Sequence, residues 1–203
     1  MKKLIFAILI LCVWLSVNSC GKKDSPSTAT STTTDNSTQS VFIYAYSTTS
    51  KDANYGSDVI NTCYGTNSSG YTSAPFYSTS THDLKDRLPS SKWSNAVYSR
   101  QGHKISSSWE SLWDGNIDMN LHVAEVIADN YTNSSAASGG TGFWSGTKSD
   151  GTFSGDNCRD WSSNISSDNG TWGSFLAKDN STWIDNSTYA CNYGKYLLCF
   201  MYN

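Results

Sequence analysis

Four cysteines in the body of the chain, Cys63, Cys158, Cys191 and Cys199, are the residues best placed for chemistry. Thiols bind zinc, attack as thiolates or bridge as disulfides. No Cys-x-x-Cys spacing occurs, and seven residues separate Cys191 from Cys199, which does not match a structural zinc site. An even set of cysteines in an oxidising compartment is a disulfide framework with three possible pairings, and the residues alone leave all three open. Each bridge is expected to contribute about 3–5 kcal/mol by restricting the unfolded chain. The next candidates are oxygen ligands. Asp185 and Asn186 are candidate calcium ligands, but no Glu-Pro-Asn or Gln-Pro-Asp partner motif stands upstream, and the prolines are Pro26, Pro75 and Pro89. Turn chemistry after a core tryptophan is the preferred role for this pair. His82, His103 and His122 show no His-x-x-x-His or Glu-x-x-His spacing, the carboxylates are scattered, and no glycine-rich phosphate loop follows a strand. The expectation is a non-enzymatic chain with no cofactor.

The elements around these residues begin with an address. Lys2 and Lys3 precede an apolar run from Leu4 to Leu15, too short for the ~20 residues of a transmembrane helix and suited to a signal peptide. The run ends at Val17-Asn18-Ser19-Cys20-Gly21, which resembles a bacterial lipobox in its looser, spirochaetal form. Residues 1–19 are therefore expected to leave as a lipoprotein leader, with Cys20 lipidated and holding the chain to a membrane. Loss of Lys2 and Lys3 leaves 12 basic against 17 acidic residues, taking the formal charge from −3 to −5. That balance argues against nucleic acid as a partner. From Cys20 to Ser40 the chain is rich in Ser and Thr, with Pro26 its single proline and no aliphatic larger than Ala. This composition predicts a solvated tether.

One domain, residues 41–203, is expected beyond it. The whole 203-residue chain is only 15% charged, against roughly 25% in ordinary soluble proteins, yet it holds 8 Trp and 12 Tyr. Such a polar, uncharged, aromatic-rich chain suits the outside of a cell. Val41, Ile43 and Ala45 alternate with Phe42, Tyr44 and Tyr46, and near the other end Tyr196, Leu198, Phe200 and Tyr202 alternate with Leu197, Cys199 and Met201. These two strands are expected to pair. If they do, Cys199 sits in the sheet beside the helix carrying Cys63, leaving Cys158 and Cys191 to close the intervening loops. Short helices are predicted from Ser57 to Cys63, from Thr81 to Leu88, and after Ser107, whose spacing to Glu110 fits a capping box ahead of Trp109, Leu112 and Trp113. The stretch from Tyr131 to Gly142 reads as loop, Phe143-Trp144 as the start of a strand, and Gly146, Gly151 and Gly155 as turns. The sum is α+β, with short helices early and strands with long loops late.

The segment Trp183-Ile184-Asp185, then Cys191, then Tyr196-Leu197-Leu198-Cys199 is similar to the close of C-type-lectin-like domains. A fuller likeness is to endostatin, a relative of that fold. Ser57-Asp58 to Cys63 resembles its first helix and first half-cystine. Ser108-Trp109-Glu110-Ser111-Leu112-Trp113 resembles its Ser-Trp-Glu segment, and Phe143-Trp144-Ser145-Gly146 through Cys158-Arg159-Asp160-Trp161 resembles its Trp-x-Gly…Cys-x-x-Trp run. The likeness extends from about Val41 to Tyr202. It implies a single C-type-lectin-like (endostatin-like) domain with nested disulfides, Cys63–Cys199 outside Cys158–Cys191. Lipoproteins bearing such a domain form the leptospiral endostatin-like family. That resemblance implies an adhesin on the outer-membrane surface, binding host laminin, fibronectin or complement factor H. A carbohydrate-binding module and an envelope lipoprotein with no host ligand are the alternatives. Two features depart from endostatin. No basic patch matches its heparin site, and residues 21–40 contain no His to match its zinc-binding start, so neither property carries over.

Trp109, Trp144, Trp161 and Trp183 fall at core positions of the family and are expected to be buried. Trp93, Trp113 and Trp172 have a weaker core assignment or none, and if several are exposed together they would be candidate interface anchors. Asn-x-Ser/Thr sequons recur, among them Asn67, Asn130 and Asn164. They are expected to be a by-product of composition in a bacterial chain.

Overall fold

A computed structural model describes residues 40–46, 53–54, 63, 65–66, 70–127 and 142–203. All of them belong to one compact unit, Ser37–Asn203. The leader, Cys20, the tether up to residue 39, the expected first helix apart from Cys63, and residues 131–141 lie outside the described residues.

The alternation at the two ends of the domain builds the centre of a six-stranded sheet. Its strands are β1 (Val41–Ala45), β2 (Gly65–Thr66), β3 (Thr72–Pro75), β4 (Val97–Ser99), β5 (Lys104–Ser106) and β9 (Leu198–Tyr202). They lie in the order β2-β3-β9-β1-β4-β5. β9 runs antiparallel to β1, with Ile43 opposite Phe200, and antiparallel to β3, with Ala74 opposite Phe200. β1 and β4 are parallel, with Val41 opposite Val97. Because side chains alternate across a strand, Ile43, Val97, Leu198 and Phe200 face one side and enter the main apolar cluster. Tyr44 and Cys199 face the other side and enter a second, smaller cluster.

A three-stranded antiparallel sheet covers the main cluster: β6 (Gly142–Trp144), β7 (Asn169–Ser174) and β8 (Ser187–Ala190), in sequence order. The face of β6 and β7 carrying Phe143 and Gly173 meets the core, where Phe143 lies 6.2 Å from Phe76, centroid to centroid. The opposite face carries Trp144 and Trp172. Phe143 forms a parallel bridge with Tyr196, which ties this sheet to the approach to β9. The architecture is thus mixed, mostly strands with a few short helical turns and two disulfides, Cys63–Cys199 and Cys158–Cys191. Among the described residues no helix is long and apolar enough to cross a membrane.

Several local expectations are corrected. Strands are not confined to the second half, since β3, β4 and β5 lie in the first. Of the Thr81-to-Leu88 stretch, Lys85–Arg87 forms a 3-10 turn that ends at Leu88, which is already extended, as its position before Pro89 requires. The helical turn after Ser107 is also 3-10, Glu110–Asp114. Its cap is not the Ser107/Glu110 pair. The Ser111 N–H donates to Ser108 Oγ at 2.9 Å and the Ser108 N–H donates to Ser111 Oγ at 3.0 Å, a reciprocal cap in which a serine does what Glu would have done. The turn closes at Gly115, whose φ of +96° suits a residue without Cβ. Gly146, Gly151 and Gly155 all take positive φ, as turns.

Candidate functional site

The reverse face of the small sheet gathers unusual chemistry. β7 presents Trp172, and β8 presents Tyr189 two residues further along the same face, since Ser187 is opposite Trp172 and Tyr189 opposite Gly170. Lys195, in the turn leading back to β9, reaches between them. Its Nζ lies 4.0 Å from the Trp172 ring centroid and 4.9 Å from that of Tyr189. Among the described residues Lys195 is the one charged residue that is buried, only 2% exposed. A desolvated ammonium over ring faces is held by the negative face of each quadrupole. Burial nevertheless penalises the charged form, pushing the lysine from its usual 10.5 down to about 8.

The rings around Lys195 are themselves fixed. Trp172 Nε1 donates to Ser187 Oγ at 2.9 Å, locking the indole to β8. Tyr189 meets Tyr193 edge to face at 4.5 Å. Tyr189 and Tyr193 are 39% and 41% exposed, so their outer surfaces are open to solvent above a buried cation. Close approach of Trp144 and the Cys158–Cys191 bridge to β7 is possible only because residue 170 is glycine. A Cβ there would lie 2.7 Å from Cys158 Sγ and 2.9 Å from the Trp144 ring.

The same bridge anchors a second feature. Residues Cys158–Trp161 form a single helical turn in which all four have φ between +53° and +62°. Left-handed turns of non-glycine residues cost about 1–2 kcal/mol per residue, so this one must be held from outside. Trp161 Nε1 donates to the Ser78 carbonyl at 2.9 Å, and Asp160 receives the Ser80 N–H at 2.7 Å and the Ser80 hydroxyl at 2.6 Å. Burial pushes the Asp160 carboxyl up, but the two bonds from Ser80 and one from Asn157 outweigh it and leave the group below its ordinary value. Beside this turn opens a cleft of about 260 Å³, lined in part by Tyr77, Ser80, His82, Arg87 and Asp160. Arg87 Nε donates to the Tyr77 carbonyl at 2.7 Å, and its guanidinium lies over the Tyr77 ring. His82 Nδ1 is engaged with Thr81 Oγ1 at 2.9 Å. The cleft therefore offers a carboxylate, a guanidinium, an imidazole and hydroxyls beside an aromatic ring, a lining suited to a small polar group.

The candidate calcium residues are used differently. Asp185 accepts the Ser149 N–H. Its pKa is raised, chiefly by burial, against the opposing pull of that bond and of Lys148, with Asp150 adding to the rise. The Asn186 N–H donates to the Trp172 carbonyl at 2.9 Å. The pair thus joins β7 to the 148–150 turn. Among the described residues no group of three or more His, Cys, Asp or Glu is arranged to hold a metal ion. Trp109, Trp144, Trp161 and Trp183 are all buried. Trp93 and Trp113 pack half-buried on the main cluster and Trp172 on the smaller one, so the three form no shared exposed platform.

Sequence reasoning missed Lys195 and its rings altogether. The available signal was a lone lysine set against Tyr196-Leu197-Leu198, where a charge interrupts an apolar strand approach. No protein-family model matches this chain, and no curated protein matches it in sequence.

Proposed function

We propose that this protein is a binding module displayed on a bacterial outer-membrane surface through a lipid at Cys20. It carries an endostatin-like, C-type-lectin-related domain that engages a host matrix or complement-regulator protein, with laminin, fibronectin and factor H the candidates. The domain assignment draws support from the central pairing of β1 with β9 and from the nested bridges. The observation that carries the binding role is the aromatic rim of Tyr189 and Tyr193, exposed over the immobilised Trp172–Lys195 pair. Tyrosines held by their neighbours lose little entropy on contact, which makes them effective anchors within a polar Ser/Thr/Asn-rich surface. A glycan-binding module is the second reading, favoured by the hydroxyl- and charge-lined cleft against Tyr77.

The test is solid-phase binding of the oxidised protein to laminin, fibronectin, factor H and a glycan array, with and without calcium. Saturable binding to one host protein, weakened about tenfold or more by Tyr189→Ala with Tyr193→Ala, is expected. Sugar binding that survives the tyrosine changes but falls with Arg87→Ala promotes the second reading. A palmitate label that persists in Cys20→Ala removes the anchor.

A further inference from the structure

Strand β8 is the outer edge of the small sheet, and Ser187, Thr188 and Tyr189 are exposed along it. The ladder fixes which backbone groups point outward. The Cys191 N–H donates to the Asp168 carbonyl, which puts Cys191 at a bonding position toward β7. Antiparallel ladders alternate between bonding and non-bonding pairs, so Tyr189 and Ser187 also bond to β7, while Thr188 and Ala190 turn their N–H and C=O groups away from it. Thr171, opposite Thr188, checks the phase. Its N–H goes to Asp156, and its carbonyl receives the Ser145 and Gly146 N–H groups, all on the side of β7 remote from β8. The Ala190 carbonyl is taken by the Tyr193 N–H. The N–H and C=O of Thr188 and the N–H of Ala190 have no partner among the described residues.

Proteins usually guard such edges with charge, proline, bulges or short strands. The larger sheet does so at both ends. β2 has two residues, while β5 carries the Lys104–Asp118 ion pair at 3.0 Å and a register shift against β4. β8 is also short, at four residues, but it lacks charge and proline. From Asn186 to Tyr193 the chain holds no charge and no proline.

We infer that β8 is a strand-addition edge through which two copies of this chain pair, antiparallel, about a two-fold axis at Thr188. Thr188 of each copy then donates its N–H to the carbonyl of the other. Tyr189 stands opposite Ser187 of the second copy, and the two Tyr189 rings become diagonal neighbours, within aromatic reach. The two small sheets merge into one of six strands. A second copy fits this edge because a two-fold axis brings identical residues together, and an uncharged run raises no like-charge repulsion there although the chain as a whole is negative. Pairing of copies stands independently of any host ligand. Where both hold, it joins two tyrosine rims into one face.

Sedimentation velocity on the oxidised mature chain bearing Cys20→Ser, so that no acyl chain drives association, should show a dimer whose fraction rises with concentration. Thr188→Pro removes an outward donor without touching the β7 ladder. It should weaken dimerisation about tenfold or more while leaving the circular dichroism and melting temperature near those of the parent. Thr188→Lys and Thr188→Glu should each be monomeric alone and dimerise when mixed, a rescue that needs the two positions to face each other. This pair decides the matter if the proline variant misfolds. A parent that stays monomeric at every concentration, or a dimer indifferent to all three substitutions, overturns the inference.

Discussion

Two apolar regions meet in this domain, and they are held by different means. Between the sheets, Phe76 is the hub of an aromatic core, with the rings of Trp109, Trp113, Phe143, Trp183 and Phe200 between 5.9 and 6.5 Å from its own. Aliphatic residues such as Ile43, Leu112 and Leu198 fill the gaps. Behind the small sheet, Trp144, Trp161 and Tyr77 form a smaller cluster with all four bridged cysteines. Aliphatic filling is scarce there, and covalent ties, a left-handed turn and a cation between rings take its place. Volume sustains the first region and connection the second. The second is also where the open edge, the exposed tyrosines and the polar cleft lie.

The contrast can be broken most forcefully at the bridges. Replacing Cys63 and Cys199 by Ala releases a loop of 136 residues, and chain entropy alone predicts a loss of about 5 kcal/mol in urea unfolding. Phe76→Ala, which opens a cavity in the volume-sustained region, should cost about 3–5 kcal/mol by the same measurement. Opening Cys158–Cys191, with a separation of 33, should cost about 3–4 kcal/mol. If the shorter bridge proves the costlier, support of the left-handed turn rather than loop closure is its main contribution. Gly170→Ala forces a methyl against Cys158 Sγ and Trp144, and should lower stability by about 1–3 kcal/mol.

The smallest effect is the most diagnostic. Lys195 has its pKa lowered from 10.5 to about 8, so between those pH values the unfolded chain binds more protons than the folded one. Stability contributed by this group therefore rises as pH increases through that window. Lys195→Met should flatten the rise in a pH series of urea midpoints. An unchanged slope would mean that the ammonium is better solvated than its 2% exposure implies.

Legibility followed the physical range of each signal. β1 and β9 show strict alternation, and their pairing could be anticipated because both faces of each strand needed cover. The burial of Trp109, Trp144, Trp161 and Trp183 was expected only through the likeness to endostatin, and all four are buried. The cap at Ser108 was missed by one residue because Glu110 fits the usual pattern, and nothing in a polar run distinguishes Ser111 as its substitute. The handedness of Cys158–Trp161 was hidden, since no glycine or asparagine within the turn announces positive φ; the turn is held by Ser78 and Ser80, some eighty residues earlier in the chain. Lys195 was opaque for a related reason. Lysine normally signals solvent, and its burial depends on two rings supplied by β7 and β8.

The position of β9 has a consequence for the order of synthesis. β1 and β3 do not touch as strands; each is paired with β9, which lies between them. Everything from Val41 to Leu197 can emerge from a ribosome without the six-stranded sheet having its middle. Only when Leu198–Tyr202 arrives can β1 and β3 be joined and Cys199 meet Cys63. Pairing across so long a separation is intrinsically slow. The growing chain is therefore kept from completing this fold until β9 has been made.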